Sequence, residues 1–367
     1  MNFYTSSFSF SSYLKLVFIA TLSILFSVAV MNYFIDPAGI YTGSNISPDA
    51  YAERLITSKS GLAWPEGIFS DRDLAKSLSR HTDKYDCIVI GSSHIMQISS
   101  HRQTQSLKND CTNLINLGVS GASLEDHFTL AYLTYLASSK KKLFPGIDPW
   151  TITHGKDKRW IIYRTEYFSA RSKILSEVGQ ESTPEVEPNK LKNLINFEYT
   201  IRSLKDLQRI LTKGPFKIQE VKAVEEVGID DPVKLPDGSL IYSSSYLRNA
   251  SHTDIPEGGS PYGTDGEVSS KEGIREYKKF LTWLQKNDVV PILLMTPYHP
   301  NVWRDPDSLN VYAMKKTEAV VLQMAKELGI KVIGSYKPEI FGCNSDEFYD
   351  FMHAKAACLA RLGERNF

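Results

Sequence analysis

The sequence predicts an α/β protein, a three-layer sandwich around a mainly parallel central sheet, preceded by one N-terminal transmembrane helix. Three observations carry that prediction. Short apolar runs of buried-strand type recur along the chain, most of them lead into or follow a helical stretch, and one long, almost uncharged run stands apart near the N-terminus. Strands that alternate with helices call for a parallel sheet covered on both faces.

The isolated run comes first. Residues 14–34 read LKLVFIATLSILFSVAVMNYF, with Lys15 the only charge, which is the length a helix needs to cross a bilayer. An uncleaved anchor is favoured over a signal peptide, because the apolar stretch exceeds an ordinary h-region and no A-x-A site precedes Asp36. The charge asymmetry that would orient it is slight, with Lys15 before the span and Arg54 and Lys59 beyond it. Residues 1–35 are thus the expected anchor, and 36–70 a juxtamembrane segment whose Pro, Gly, Ser and Asn density (IDPAGIYTGSNISP) marks irregular chain. The folded domain is expected over 71–367.

Within that domain 86–91 (DCIVIG) and 113–117 (NLINL) read as buried strands, each leading into helix-like sequence. A third strand is expected at 160–163 (WIIY), after the loop FPGIDPWTITHGKDK. The fourth, 289–295 (VVPILLM), follows a helix over 273–285, and the fifth, 330–333 (IKVI), follows a helix over 312–328. From about 171 to 271 the alternation is lost. A helical stretch at 191–211 gives way to Gly-, Ser- and Pro-rich chain with a hairpin expected at LPDGSLIY. This reads as an insertion, either a lid or substrate platform or a purely structural addition.

Composition limits the function classes. With 42 basic against 42 acidic residues and 42% hydrophobic content, the chain buries a full core and lacks the basic excess that phosphate-backbone binding needs. Nucleic acid is not an expected partner. The four cysteines, Cys87, Cys111, Cys343 and Cys358, show neither C-x-x-C nor His spacing, so no metal site is expected. Cys87 lies in an apolar strand run and reads as simply buried. Cys343 and Cys358 bracket the DFMH segment and, in an oxidising compartment, either bridge or remain free thiols.

Three segments carry candidate chemistry. Gly91-Ser92-Ser93-His94 follows the first strand directly, where ligands collect in an open parallel sheet and where backbone N–H groups at a helix start can meet a developing oxyanion. Asn116-Leu117-Gly118-Val119-Ser120-Gly121 ends the second strand, and its glycines let backbone approach a ligand, which makes the Gly121 N–H a candidate donor. Asp350-Phe351-Met352-His353 places an acid three residues before an imidazole. A nucleophilic serine needs such a base, and the base needs an acceptor on its other nitrogen. His299, in TPYHP, and His94 are possible substrate contacts. His81, His101, His127, His154 and His252 lack metal-ligand spacing and read as surface or structural residues.

In this order, strand-G-x-S, Gly-rich turn and late D-x-x-H, the segments resemble the blocks of the SGNH/GDSL hydrolase superfamily, over roughly residues 85–362 without the insertion. The resemblance implies Ser93 as nucleophile, His353 as general base, Asp350 as its partner, and the Ser93 and Gly121 amides as the oxyanion hole. Ser92 stands where the family usually has aspartate. The third block's asparagine is missing after WIIY, where Arg164-Thr165-Glu166 follows. Losing one such donor costs about 2.7–4 kcal/mol of transition-state stabilisation, so either Arg164 substitutes or hydrolysis is weak. With the membrane helix, this pattern resembles the branch of the alginate O-acetylation and D-alanyl-lipoteichoic acid biosynthesis proteins. That implies an anchored domain outside a bacterial inner membrane and O-acyl transfer to, or removal from, an envelope polysaccharide. It also implies an acyl donor, a membrane-bound O-acyltransferase partner and no cofactor. The rival expectations are a non-catalytic envelope glycan-binding or assembly protein, and a plain esterase or lipase.

Overall fold

The structure, a computed structural model, describes residues 10–36, 41, 47–64, 68–102, 107–138, 141–153, 157–176, 191, 194–214, 217–221, 231–252 and 270–365. Much of the expected irregular stretch after the anchor, the centre of the insertion and His154 lie outside them. The helices are α1 (Phe10–Ile35), α2 (Pro48–Thr57), α3 (Asp71–Ser79), α4 (Leu124–Ala137), α5 (Arg164–Leu175), α6 (Phe197–Lys213), α7 (Ser244–His252), α8 (Lys271–Lys286), α9 (Leu309–Leu328) and α10 (Ala356–Leu359). The strands are β1 (Leu62–Ala63), β2 (Cys87–Ile90), β3 (Leu114–Asn116), β4 (Lys142–Pro145), β5 (Val233–Lys234), β6 (Leu240–Ile241), β7 (Val290–Met295) and β8 (Lys331–Gly334). The chain divides into two compact units, one of Met1–Ala50, Pro65–Phe69 and Val186–Lys217, the other of Tyr51–Trp64, Ser70–Glu185 and Ile218–Phe367.

The first unit holds α1 and α6. The 26 residues of α1 rise about 39 Å as a helix, more than a hydrocarbon core of about 30 Å requires. Its most apolar window has a mean hydropathy of 2.3. This is one N-terminal helix long and apolar enough to span a membrane.

The second unit is built on a five-stranded parallel sheet in the order β3-β2-β4-β7-β8. The register sets Cys87 opposite Leu114 on one side of β2 and opposite Lys142 on the other. The chain leaves β2 for β3 on one side and then returns past β2 to β4. Connections therefore diverge at the β2–β4 boundary, the place where open parallel sheets form a crevice beyond their C-terminal strand ends. On one face Cys87, Val89, Leu114, Phe144, Ile292, Leu294 and Ile333 form a core with Cys343, Phe348, Ala354, Cys358 and Leu359. The segment that carries Asp350 and His353 is thereby seated on the sheet by apolar contact. The intervening residues Ile88, Ile90, Ile115, Leu143 and Leu293 are buried as well, as expected for strands covered on both sides.

One expected strand is not a strand. Residues Arg159–Tyr163 form a 3-10 turn that runs into α5, because the Asp157 carboxylate accepts from the Arg159 N–H at 2.8 Å and starts a turn by an Asx-type bond. Ile161 is 51% exposed. The sheet's third strand in sequence is instead β4, Lys-Leu-Phe-Pro, whose last two residues open the expected loop. Helix α5 runs across residue 171, where the sequence suggests that the alternation of strand and helix is lost.

The expected hairpin is present. β5 and β6 pair antiparallel through Lys234 and Leu240, with Gly238 at φ +81° in the turn, and β1 adds a third strand. Residues 51–64 thus belong with the sheet-bearing unit, where Tyr51, Ala52 and Leu55 of α2 are fully buried. The hairpin docks on the main sheet. The Asn116 N–H donates to Asp237 O at 2.6 Å and Leu240 N–H to Met96 O at 2.8 Å, while the Asp237 carboxylate accepts from Ser99 Oγ and Ser100 N.

Helix α4 carries the fully buried His127, whose Nδ1 lies 2.9 Å from Tyr277 Oη. Burial lowers its pKa from 6.5 to about 4, against an opposing pull from the Asp148 charge. Between those values the unfolded chain binds the proton and the folded chain does not, so stability is full above the unfolded pKa and falls as the pH drops through this window, by up to about 3 kcal/mol. Thermal midpoints followed against pH are expected to fall more steeply for the native chain than for His127→Gln. Parallel curves would rule this out.

Candidate active site

Ser93 stands at the first step beyond β2. Gly91 makes the sharp exit from the strand at φ +148°, and a side chain there would strike Gly146 O at 2.9 Å, the backbone beyond β4. Ser92 then caps a 3-10 turn over Ser93–Ile95, its Oγ accepting from the His94 N–H at 3.2 Å. The turn is held from β3 as well. Asn116, buried at the strand end, donates from Nδ2 to Ile95 O at 2.7 Å and Ile98 O at 2.9 Å, and accepts the Gly118 N–H on Oδ1 at 2.9 Å.

His353 Nε2 lies 2.9 Å from Ser93 Oγ, and His353 Nδ1 lies 2.8 Å from Asp350 Oδ2. The other carboxylate oxygen accepts the backbone N–H groups of Met352 and His353 at 2.7 and 2.8 Å. The acid is thus locked to its own loop while it orients the ring. That loop is a tight excursion, with Phe348 bridged to Ala354 and the Tyr349 N–H donating to His353 O at 2.9 Å. A disulfide joins Cys343 to Cys358 across its base. Cys87, read from sequence as merely buried, is bonded to Cys111, a pairing across the β2–β3 connection that no spacing motif announces.

Burial of Asp350 favours its neutral form, but the hydrogen bond and charge of His353, the Tyr246 hydroxyl and the Met352 N–H outweigh it. They hold the carboxyl well below the usual carboxylate range. Asp350 therefore stabilises the fold above the ordinary carboxyl pKa of about 3.9, and that contribution is lost as the pH falls below it. Tyr246 comes from α7, within the stretch expected from sequence to be an insertion. Its hydroxyl donates to Asp350 Oδ2 at 2.6 Å and lies 3.4 Å from His353 Nδ1. Its ring stacks on Tyr242 at 4.2 Å, and Tyr242 meets His353 edge-on at 5.9 Å. Sequence reasoning missed both tyrosines, whose one mark was a spacing of four residues. A hydrogen bond to a charged group contributes about 1.5–3 kcal/mol, so Tyr246→Phe is expected to lower kcat about 10- to 100-fold with the fold intact. Unchanged kcat in steady-state assays would reduce Tyr246 to a packing residue.

Of the further candidates, Gly121 lies in the loop between β3 and α4 at φ +58°, where an added side chain would meet Arg159 and Asp157. Its loop is tied to the turn that carries Ser93 by the Val119 N–H, which donates to Gly91 O at 2.9 Å. His94 is 2% exposed and so offers no open face to a substrate. Its ring packs edge-on against His353 at 5.0 Å, Tyr298 and Trp150. His94 Nδ1 lies 2.9 Å from Asp148 Oδ1, a close contact in which, among the described residues, neither ring nitrogen has hydrogen-bond geometry to a partner. His299 is buried. Its Nδ1 accepts from Asn301 N–H at 3.0 Å and its own N–H donates to Phe351 O at 3.1 Å, which braces the Asp350 loop. Arg164 is exposed at the start of α5, its guanidinium 5.4 Å above the Phe168 ring. Beyond β4 the chain continues Gly146-Ile147-Asp148, so an acid stands at that strand edge and no asparagine does.

No protein-family model matches the chain, and no curated protein matches it.

Proposed function

We propose that the chain is a membrane-anchored serine acyl-ester enzyme of SGNH type, with helix layers on both faces of its sheet. In this reading it moves an O-acyl group, acetyl foremost, to or from a cell-envelope polysaccharide. The observation that supports it is the unbroken hydrogen-bonded line from Asp350 through His353 to Ser93 at the sheet's switch point. Ser93 Oγ attacks the acyl carbonyl while His353 Nε2 takes its proton, and the resulting oxyanion is met by the Ser93 and Gly121 amides. His353 then protonates the departing alkoxide, which leaves an acyl-enzyme. An acceptor hydroxyl, from a glycan or from water, gives its proton to His353 and attacks the acyl carbon; as the acyl–Oγ bond breaks, His353 returns that proton to Ser93 Oγ, which restores the free serine and the neutral imidazole.

An apolar helix long enough to cross a membrane and two disulfides support a domain outside the inner membrane, in an oxidising compartment. An acyl donor, the glycan and a membrane-bound O-acyltransferase are the partners in this reading. A non-catalytic glycan-binding or assembly role has one observation in its favour: Asp148 puts a carboxylate at the strand edge where an oxyanion donor is wanted. Intact mass of the detergent-solubilised full chain after exposure to a fluorophosphonate decides between them. A single adduct is expected on the native protein and on neither Ser93→Ala nor His353→Ala. A folded native protein that takes no adduct would sink the catalytic reading.

A further inference from the structure

We propose that α6 is a second membrane element, an interfacial helix lying in the lipid surface beside the exit of α1. This rests on reading α1 as membrane-spanning. At about 100° per residue, the apolar residues of α6 fall on one arc and Arg202, Lys205, Asp206 and Arg209 on the opposite one. One flank of the apolar arc, with Tyr199 and Leu207, is at least partly covered, and this side of the helix is fastened to the end of α1. Asn32 Nδ2 donates to Leu194 O at 2.8 Å and to Thr200 Oγ1 at 2.9 Å, and Tyr199 Oη donates to Asp36 Oδ1 at 2.7 Å.

The other flank, Phe197, Ile201, Leu204 and Leu211, interrupted only by Gln208, is exposed, with Phe197 at 81% and Leu211 at 77%. A row of large apolar side chains left in water marks an interaction surface. This row belongs to the same unit as α1, whose own apolar side chains are exposed along its length. The fastening point is the C-terminal end of the span, where Tyr33 and Tyr41 pair at 5.5 Å, and tyrosines collect at headgroup depth. An amphipathic helix held there sinks its apolar flank about 5–10 Å into the headgroup boundary and leaves Lys205 among the phosphates.

All four native cysteines are in disulfides, so single cysteines at Phe197, Leu204, Leu211, Lys205 and, within α1, Val17 can each carry an environment-sensitive fluorophore. The full chain is reconstituted in vesicles of neutral and anionic phospholipid bearing a nitroxide near the top of the acyl chain. The expected result is strong quenching at 17, 197, 204 and 211, and several-fold weaker quenching at 205. Quenching at 197, 204 and 211 no greater than at 205, with 17 quenched, overturns the proposal while the anchor stands. Shielding of those positions from aqueous iodide without nitroxide quenching overturns it too, since a second copy of the chain would then be the cover. An unquenched label at 17 removes the anchor, and the proposal with it.

Discussion

Replacing Ser93 by alanine is expected to lower acyl-ester turnover about 10⁴- to 10⁶-fold, with thermal stability nearly unchanged. The Ser93 side chain is held by the 2.9 Å bond to His353 Nε2. Neither the Gly91 exit nor the Ser92 cap depends on it, so the alanine variant keeps the turn and loses only the attacking oxygen. His353→Ala removes the proton acceptor of the same step, and residues that act as one unit are not additive. The double variant is therefore expected to be no slower than either single one. Hydrolysis of a small acyl ester by the three variants, with melting curves alongside, checks this. A Ser93→Ala enzyme within tenfold of the native rate, or a double variant far slower than both singles, would mean that these side chains do not share a reaction.

That pair could be singled out from the sequence by the order of its segments, strand-G-x-S early and D-x-x-H late, neither of which carries the signal alone. A continuous apolar run ending in Gly-x-Ser places a hydroxyl at a strand exit whatever the rest of the chain does, and β2, β3, β7 and β8 follow from runs of the same kind. β4 did not stand out. Its four residues follow a lysine run and end in proline, and it is a strand because β2 and β7 supply partners on both sides. The run WIIY had the apolar character and lacked the neighbours, so the Asp157 turn decided its backbone. Tyr246 illustrates the same limit at the site. It reaches Asp350 only because the β5–β6 hairpin docks beside Met96 and Asn116 and carries α7 to Asp350 and His353, a long-range placement with no local period. The disulfide between Cys87 and Cys111 likewise follows from the β2–β3 pairing, which sets Cys87 beside Leu114.

Asp350→Asn tests the orientation of the imidazole separately from its presence, and is expected to cost about 10⁴-fold in kcat. Oδ1 accepts two backbone N–H groups, so the asparagine keeps its one oxygen there and turns its amide NH₂ toward His353 Nδ1. The ring can meet that donor only as the tautomer with the proton on Nε2, and such a nitrogen cannot take the proton of Ser93. The loop, with its backbone bonds and disulfide, survives, so the loss is one of chemistry rather than of fold. The effect should far exceed that of Tyr246→Phe, which leaves the carboxylate and its two backbone donors in place. Because Asp350 is held well below the usual carboxylate range, bringing the native protein to mildly acid pH is not expected to reproduce the asparagine phenotype through this residue. Steady-state kcat and the rate of fluorophosphonate labelling, compared across Asp350→Asn, Tyr246→Phe and the native chain, give the ranking. An asparagine variant within tenfold of native would show that the Tyr246 hydroxyl and the packing of His94 and Tyr242 hold the imidazole without the acid.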